Sequence, residues 1–154
     1  MPGRGSPANL GAVVRITAAV AAVLAGLAVA PAEASPPSAW ARCDPGEFCI
    51  APLDGGYGGT YHFAGSDSNL LDNRFEGMGR HLIVGRDAFS VRNRGRGPKG
   101  SPVDVLVFTR VRWRGRPACL RRGARGTLQR RWLNHVRSYR WVTRTECRRH
   151  RIIA

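Results

Sequence analysis

The sequence of 154 residues predicts an all-β domain, a sandwich of two Greek-key motifs stapled by disulfides. Three observations point there. Short apolar strands recur at intervals of about ten residues, separated by glycine- and proline-rich turns. Beyond the N-terminal segment no stretch sustains a helical apolar period. The two halves of the chain also repeat weakly, each with a strand, an aromatic–x–glycine turn, a second strand, a loop and a serine-bearing strand.

The N-terminus is read first because it sets the compartment. Arg4 and Arg15 precede an uncharged apolar run, Ile16 to Ala30, and "AEA" (Ala32 to Ala34) follows with small residues at alternate positions. This is the layout of a secretory signal peptide. The run is short of the roughly 20 residues a membrane span needs. Residues 1–34 are thus expected to be removed. A secreted, extracellular, monomeric domain of residues 35–154 would remain, with no transmembrane segment after cleavage.

Four cysteines lie in that domain: Cys43, Cys49, Cys119 and Cys147. An even count in a small exported domain predicts two disulfides. Three pairings are possible; Cys43–Cys49 is the local one and leaves Cys119–Cys147. The spacing does not suit zinc, which takes pairs two to four residues apart. His62, His81, His135 and His150 are scattered without ligand spacing. No metal and no cofactor are expected.

The elements follow in order. "SPPSAWARCDPGE" (Ser35 to Glu47) reads as an extended leader ending in a turn. "FCIAPL" (Phe48 to Leu53) is a short strand, and the glycine-rich "DGGYGGTYHFAG" (Asp54 to Gly65) turns into a second. After a loop, "HLIVG" (His81 to Gly85) and "AFSVRNR" (Ala88 to Arg94) read as strands. "GRGPKGSP" (Gly95 to Pro102) is a linker by composition. "VDVLVFTRVRW" (Val103 to Trp113) is the clearest strand. Val105, Val107, Thr109, Val111 and Trp113 fall on one face, with Arg110 and Arg112, and then Arg114, on the other. "GTLQRRWLNHV" has room for one turn of helix.

The repeat places "YGGTYHF" (Tyr57 to Phe63) over "WRGRPAC" (Trp113 to Cys119), and "RDAFSVRN" over "NHVRSYRW" with Ser90 over Ser138. A glycine two residues after an aromatic suits a hairpin turn with positive φ. The first motif is expected to span about 43–94 and the second about 103–147.

In their order and spacing, "CDPGEFC", "YGG", "FSVRNR", "ACLRRG" and "TLQRRWLNHVRSYRWV" resemble the small secreted metalloproteinase inhibitors of actinobacteria, peptidase inhibitor family 36. The resemblance runs from about Cys43 to Cys147. It implies a βγ-crystallin-like fold and the disulfides Cys43–Cys49 and Cys119–Cys147. It also implies a reactive bond between Cys119 and Leu120, with an extracellular protease, a metalloprotease by preference, as partner. Leu120 would fill the protease's apolar pocket, and the Cys119 carbonyl would face its catalytic zinc. Related domains bind calcium through Asn/Asp pairs. Here "RDAFSV" and "NHVRSY" keep one such residue each, beside Arg or His, so weak or no calcium binding is expected.

Charge gives the alternative. Residues 35–100 carry eight Lys/Arg against seven Asp/Glu, whereas residues 101–154 carry fifteen Arg against two acids. Such asymmetry suits a cationic binding or antimicrobial protein acting on an anionic polymer, envelope or nucleic acid. Its basic face would comprise Arg110, Arg112, Arg114, Arg121 and Arg122. Arg130, Arg131, Arg137 and Arg140 would extend it, and Trp113, Trp132, Tyr139 and Trp141 would be available to stack bases. No catalytic motif is present. Asp72, Glu76 and His81 are close in sequence but read as a solvated loop, so the chain is not expected to be an enzyme.

Overall fold

The computed structural model describes Trp40 and residues 42–153; the predicted signal peptide lies outside the described residues. The fold is all-β, with seven strands in two antiparallel sheets. The strands are β1 (Phe48–Ala51), β2 (Tyr61–Phe63), β3 (Ser90–Asn93), β4 (Asp104–Arg110), β5 (Arg114–Leu120), β6 (Arg125–Thr127) and β7 (Ser138–Val142). One sheet has the order β2-β1-β3-β6 and the other β5-β4-β7. β6 comes from the second half of the chain but pairs with β3 of the first. The exchange is returned at Asp67, whose N–H and C=O bond Tyr139 of β7 at 3.0 and 2.8 Å. The two halves are thus hydrogen-bonded into one another's sheets.

Period-two alternation builds the core. Phe48 and Ile50 of β1, Val105 and Val107 of β4, and Ala118 and Leu120 of β5 all face a common apolar interior, together with Val91 and Tyr139. The intervening residues face outward, where each sheet carries a small second cluster. Cys49 and Ala51 pack with Trp40 and Cys43, and Leu106, Phe108 and Cys119 pack with Val142 and Cys147. The disulfides Cys43–Cys49 and Cys119–Cys147 sit in these outer clusters. The second is reached by a four-residue helix, α2 (Arg144–Cys147), whose Thr143 hydroxyl caps the Glu146 N–H.

The serine-bearing strands perform one task twice. The Ser90 hydroxyl donates to Leu53 O and accepts from Gly56 N at 3.1 Å. The Ser138 hydroxyl donates to Arg110 O at 2.7 Å and accepts from Trp113 N at 3.0 Å. Each pins the turn of the preceding hairpin by a carbonyl and by the N–H three residues further on. The glycine of each aromatic–x–glycine turn has positive φ, +105° at Gly59 and +83° at Gly115. A Cβ on Gly59 would lie 1.8 Å from Glu76 O, so no side chain fits there.

Three sequence expectations are corrected. Residues 103–113 are not one strand. The register shifts between Phe108 and Arg110, and Arg112 and Trp113 both take φ of 55°, so the chain reverses. Trp113 is therefore not a core residue: it is 45% exposed at the hairpin tip, with its indole N–H bonded to Tyr139 O. "HLIVG" is no strand but a turn running into a short helix, α1 (Val84–Asp87), whose Asp87 carboxylate accepts from Ile83 N at 2.8 Å.

Tyr61 and Tyr139 make the fold sensitive to alkali. Burial, reinforced for Tyr61 by its hydrogen bond to Asp67 and for Tyr139 by the charge of Tyr61 and Asp67, raises both phenols well above the usual tyrosine range. Above about pH 10 the unfolded chain releases these protons while the folded chain retains them, so stability falls as pH rises. In a Tyr57→Phe variant, tyrosinate absorbance is expected to develop together with unfolding. A tyrosinate transition completed while the circular dichroism is still native would refute this.

Candidate functional site

The Cys119–Leu120 bond lies inside the fold. Cys119 and Leu120 are both fully buried. The Cys119 N–H donates to Arg151 O at 2.7 Å, and its carbonyl accepts from Ile153 N at 2.9 Å, so the C-terminal tail covers the outer edge of β5. The Leu120 side chain belongs to the central core, and its carbonyl accepts from Asn93 Nδ2 at 3.0 Å. A substrate-like contact through this bond would require removing the tail and turning a core leucine outward.

The predicted basic face divides in two. Arg110, Arg112 and Arg114 are exposed around the β4–β5 hairpin tip, whereas Arg121 and Arg122 follow the far end of β5. At about 3.3 Å per residue the two groups are roughly 20 Å apart along the strand. The tip borders a cleft of about 530 Å³ lined by Ser68, Asn69, Leu71, Val111, Arg112 and Arg114.

One residue of the predicted basic face, Arg122, belongs to a further concentration of charge. Arg92, Arg94, Arg96, Arg122 and Arg125 line one groove of about 490 Å³ with Pro45, Asn93, Gly95 and Gly123. β3 supplies Arg92, and the segment after it supplies Arg94 and Arg96. They alternate with the buried Val91, Asn93 and Gly95, as strand geometry requires. Arg92 stands directly opposite Arg125 of β6 in the sheet register and opposite Cys49 of β1, on the outer face of the sheet. Burial and the neighbouring charges of Arg94 and Arg125 depress the Arg92 pKa. Like charges directly opposite in a sheet are destabilising.

Asn93 forms the floor. It is fully buried; Nδ2 donates to Val103 O at 3.1 Å and to Leu120 O, while Oδ1 accepts from Gly95 N at 2.7 Å. Its N–H bonds Ala124 O and its C=O accepts from Gly123 N at 2.9 Å, which ties the two arginine-bearing segments together. The Arg94 guanidinium reaches Cys43 O, and Arg122 reaches Gly97 O at 3.5 Å. Both partners are neutral carbonyls.

No carboxylate lines this groove, and among the described residues none of its five arginines forms a salt bridge. The nearest buried acid is engaged otherwise. Asp104 Oδ1 accepts from Arg122 N at 2.6 Å, and Oδ2 lies 2.9 Å from Arg144 Nε without hydrogen-bond geometry. Asp104 also lies close to Cys119 and Cys147, but their sulfurs are joined in a disulfide and cannot act as thiolate ligands.

Four of the groove arginines, Arg92, Arg94, Arg96 and Arg125, escape a search for charge-rich segments. The signal that finds the first three is "RNRGR", in which arginines recur at every second position; Arg125 lies outside it. No protein-family model matches the chain, and no curated protein matches it. Among the described residues no helix is long and apolar enough to cross a membrane.

Proposed function

We propose that this is an exported cationic binding protein that takes an anionic polymer into the five-arginine groove. The single observation that carries the reading is the uncompensated charge. Five arginines line one groove, two of them paired across a sheet, and among the described residues no acid lines that groove, Asp54 entering only in the flanking cleft it shares with Arg125. Such a site costs stability until an anion fills it, and binding is then driven by release of counterions from the polymer. Export is supported by the N-terminal sequence and by the two disulfides. A βγ-crystallin-like pair of Greek keys is supported by the exchange of β6 and Asp67 between the sheets and by the twin roles of Ser90 and Ser138.

The test uses two variants of equal net charge. Arg92, Arg94 and Arg125 are changed to Ser in one, and Arg110, Arg112 and Arg114 to Ser in the other. Binding to heparin is measured across a salt series. The groove variant is expected to lose most of its affinity and the hairpin variant little. Equal losses would mean that net charge alone attracts the polymer, and the site would be rejected.

A second reading is a secreted peptidase inhibitor that is not an enzyme itself. It is favoured by the rigidity that the Cys119–Cys147 disulfide gives β5. Titration against a thermolysin-like metalloprotease tests it. Given the burial of Leu120, no inhibition at micromolar protein is expected.

A further inference from the structure

Resting on the groove reading, we infer a narrower ligand class: a linear, flexible chain of phosphates without aromatic groups, laid along a trough and recognised by charge and spacing alone. Three observations lead there.

The groove is one part of a longer depression. Arg125 is shared with a cleft of about 380 Å³ lined by Trp40, Asp54, Gly55, Ser90, Gly126 and Thr127. Gly95 and Arg96 are shared with a cleft of about 210 Å³ lined by Gly46, Ala64, Pro102 and Trp141. Neighbours on both sides make a trough rather than a cup. A single compact anion would touch two or three of the five arginines, whereas a chain can meet them in succession.

The charge of the trough has an end. Asp54 lies in the flanking cleft beyond Arg125, where the Thr127 hydroxyl and the Gly55 N–H stabilise its carboxylate and lower its pKa. An anionic chain is repelled there. The attractive run is therefore bounded by Asp54 on one side and extends toward Arg96 on the other, which limits it to about five charges.

Stacking surfaces are lacking. The five-arginine section has no aromatic lining residue. In the flanking clefts Trp40 is 6% exposed and packs over Gly56, where a Cβ would lie 2.5 Å from the ring. Trp141 is partly buried, with its indole N–H donated to Gly65 O at 3.0 Å and its ring against Gly95. Binding of single-stranded nucleic acid relies on stacked bases for much of its affinity. This trough offers phosphate contacts and little else.

The experiment compares orthophosphate, tripolyphosphate, long-chain inorganic polyphosphate, poly(glycerol phosphate), an oligothymidylate and heparin, each titrated into the intact domain across a salt series. Affinity is expected to rise from orthophosphate through tripolyphosphate to the long chains. The slope of log K against log salt should level off near −3.5 for about five contacts. The oligothymidylate should bind no tighter than a polyphosphate of equal charge, and the tighter of the two non-aromatic polymers identifies the source. The inference is overturned, with the groove reading intact, if orthophosphate binds as well as the chains, if oligothymidylate binds tighter at equal charge, or if heparin binds and phosphate chains do not. Failure of every polyanion to bind overturns both.

Discussion

Changing Arg92, Arg94 and Arg125 to serine is expected to weaken polyanion binding, and changing Arg92 and Arg125 alone, which spares the bond from Arg94 to the Cys43 carbonyl, is expected to make the domain more stable as well. Each guanidinium lost removes one phosphate contact, so the slope of log K against log salt should fall in magnitude by about 2, at roughly 0.7 per contact. At low salt this is a loss of two or more orders of magnitude in affinity. Stability should move the other way. Arg92 and Arg125 are directly opposed in the sheet and Arg94 adds to their repulsion, with no acid in the groove. After allowance for solvent screening, relieving this is worth about 0.5–1 kcal/mol, or a rise of a few degrees in Tm. Opposite signs for binding and stability are characteristic of a site maintained for function. Thermal unfolding of the Arg92/Arg125 double variant and its parent without polymer checks the second sign. A variant less stable than its parent would show that the arginines serve the fold.

Asn93→Leu is expected to cause the largest loss of stability of any single change near the groove. The amide satisfies three buried backbone groups: Val103 O, Leu120 O and Gly95 N. Leucine would leave all three without a partner, at about 1–3 kcal/mol each with partial relief from relaxation. The total should be on the order of 3–5 kcal/mol. At several degrees per kcal/mol for a domain of this size, Tm should drop by more than about 10 °C. Urea unfolding provides the measurement. A change below about 1 kcal/mol would mean that water takes over the amide's role and that the floor of the groove is not rigid.

These residues show what the sequence made legible. The core strands were readable because their alternation is strict. Phe48 and Ile50, and likewise Val105 and Val107, point inward, and the cysteines between or beside them point outward into the stapled clusters. The serine repeat was visible for the same reason, since Ser90 and Ser138 do the same work at equivalent hairpins. Trp113 was not placed because alternation holds only while the backbone stays extended. The register shift after Phe108 and the left-handed Arg112 and Trp113 break the parity.

The groove was hidden for a different reason. Its arginines come from two segments about 30 residues apart that meet only because β6 crosses to the other sheet. The first half of the chain looks neutral, but several of its acids lie in loops or bond local partners. Asp67 holds Tyr61 and Asn73, and Asp87 holds Ile83 N. Among the described residues Arg92, Arg94 and Arg96 consequently have no salt bridge to an acid. Conversely, the sequence pairs "CL" as two neighbours, but period two cannot say which face of an isolated strand is buried. Pairing with Leu106 and Val105 put Cys119 on the stapled outer face and Leu120 in the core.

The most direct test follows the arginine side chains themselves. Nitrogen–proton correlation spectra of the guanidinium Nε groups, recorded during titration with long-chain polyphosphate, report which arginines meet the polymer. Shifts concentrated on Arg92, Arg94, Arg96, Arg122 and Arg125, accompanied by the backbone amides of Gly95 and Gly123, are the predicted result. Shifts centred on Arg110, Arg112 and Arg114, or spread evenly over the arginine-rich second half, would contradict the account.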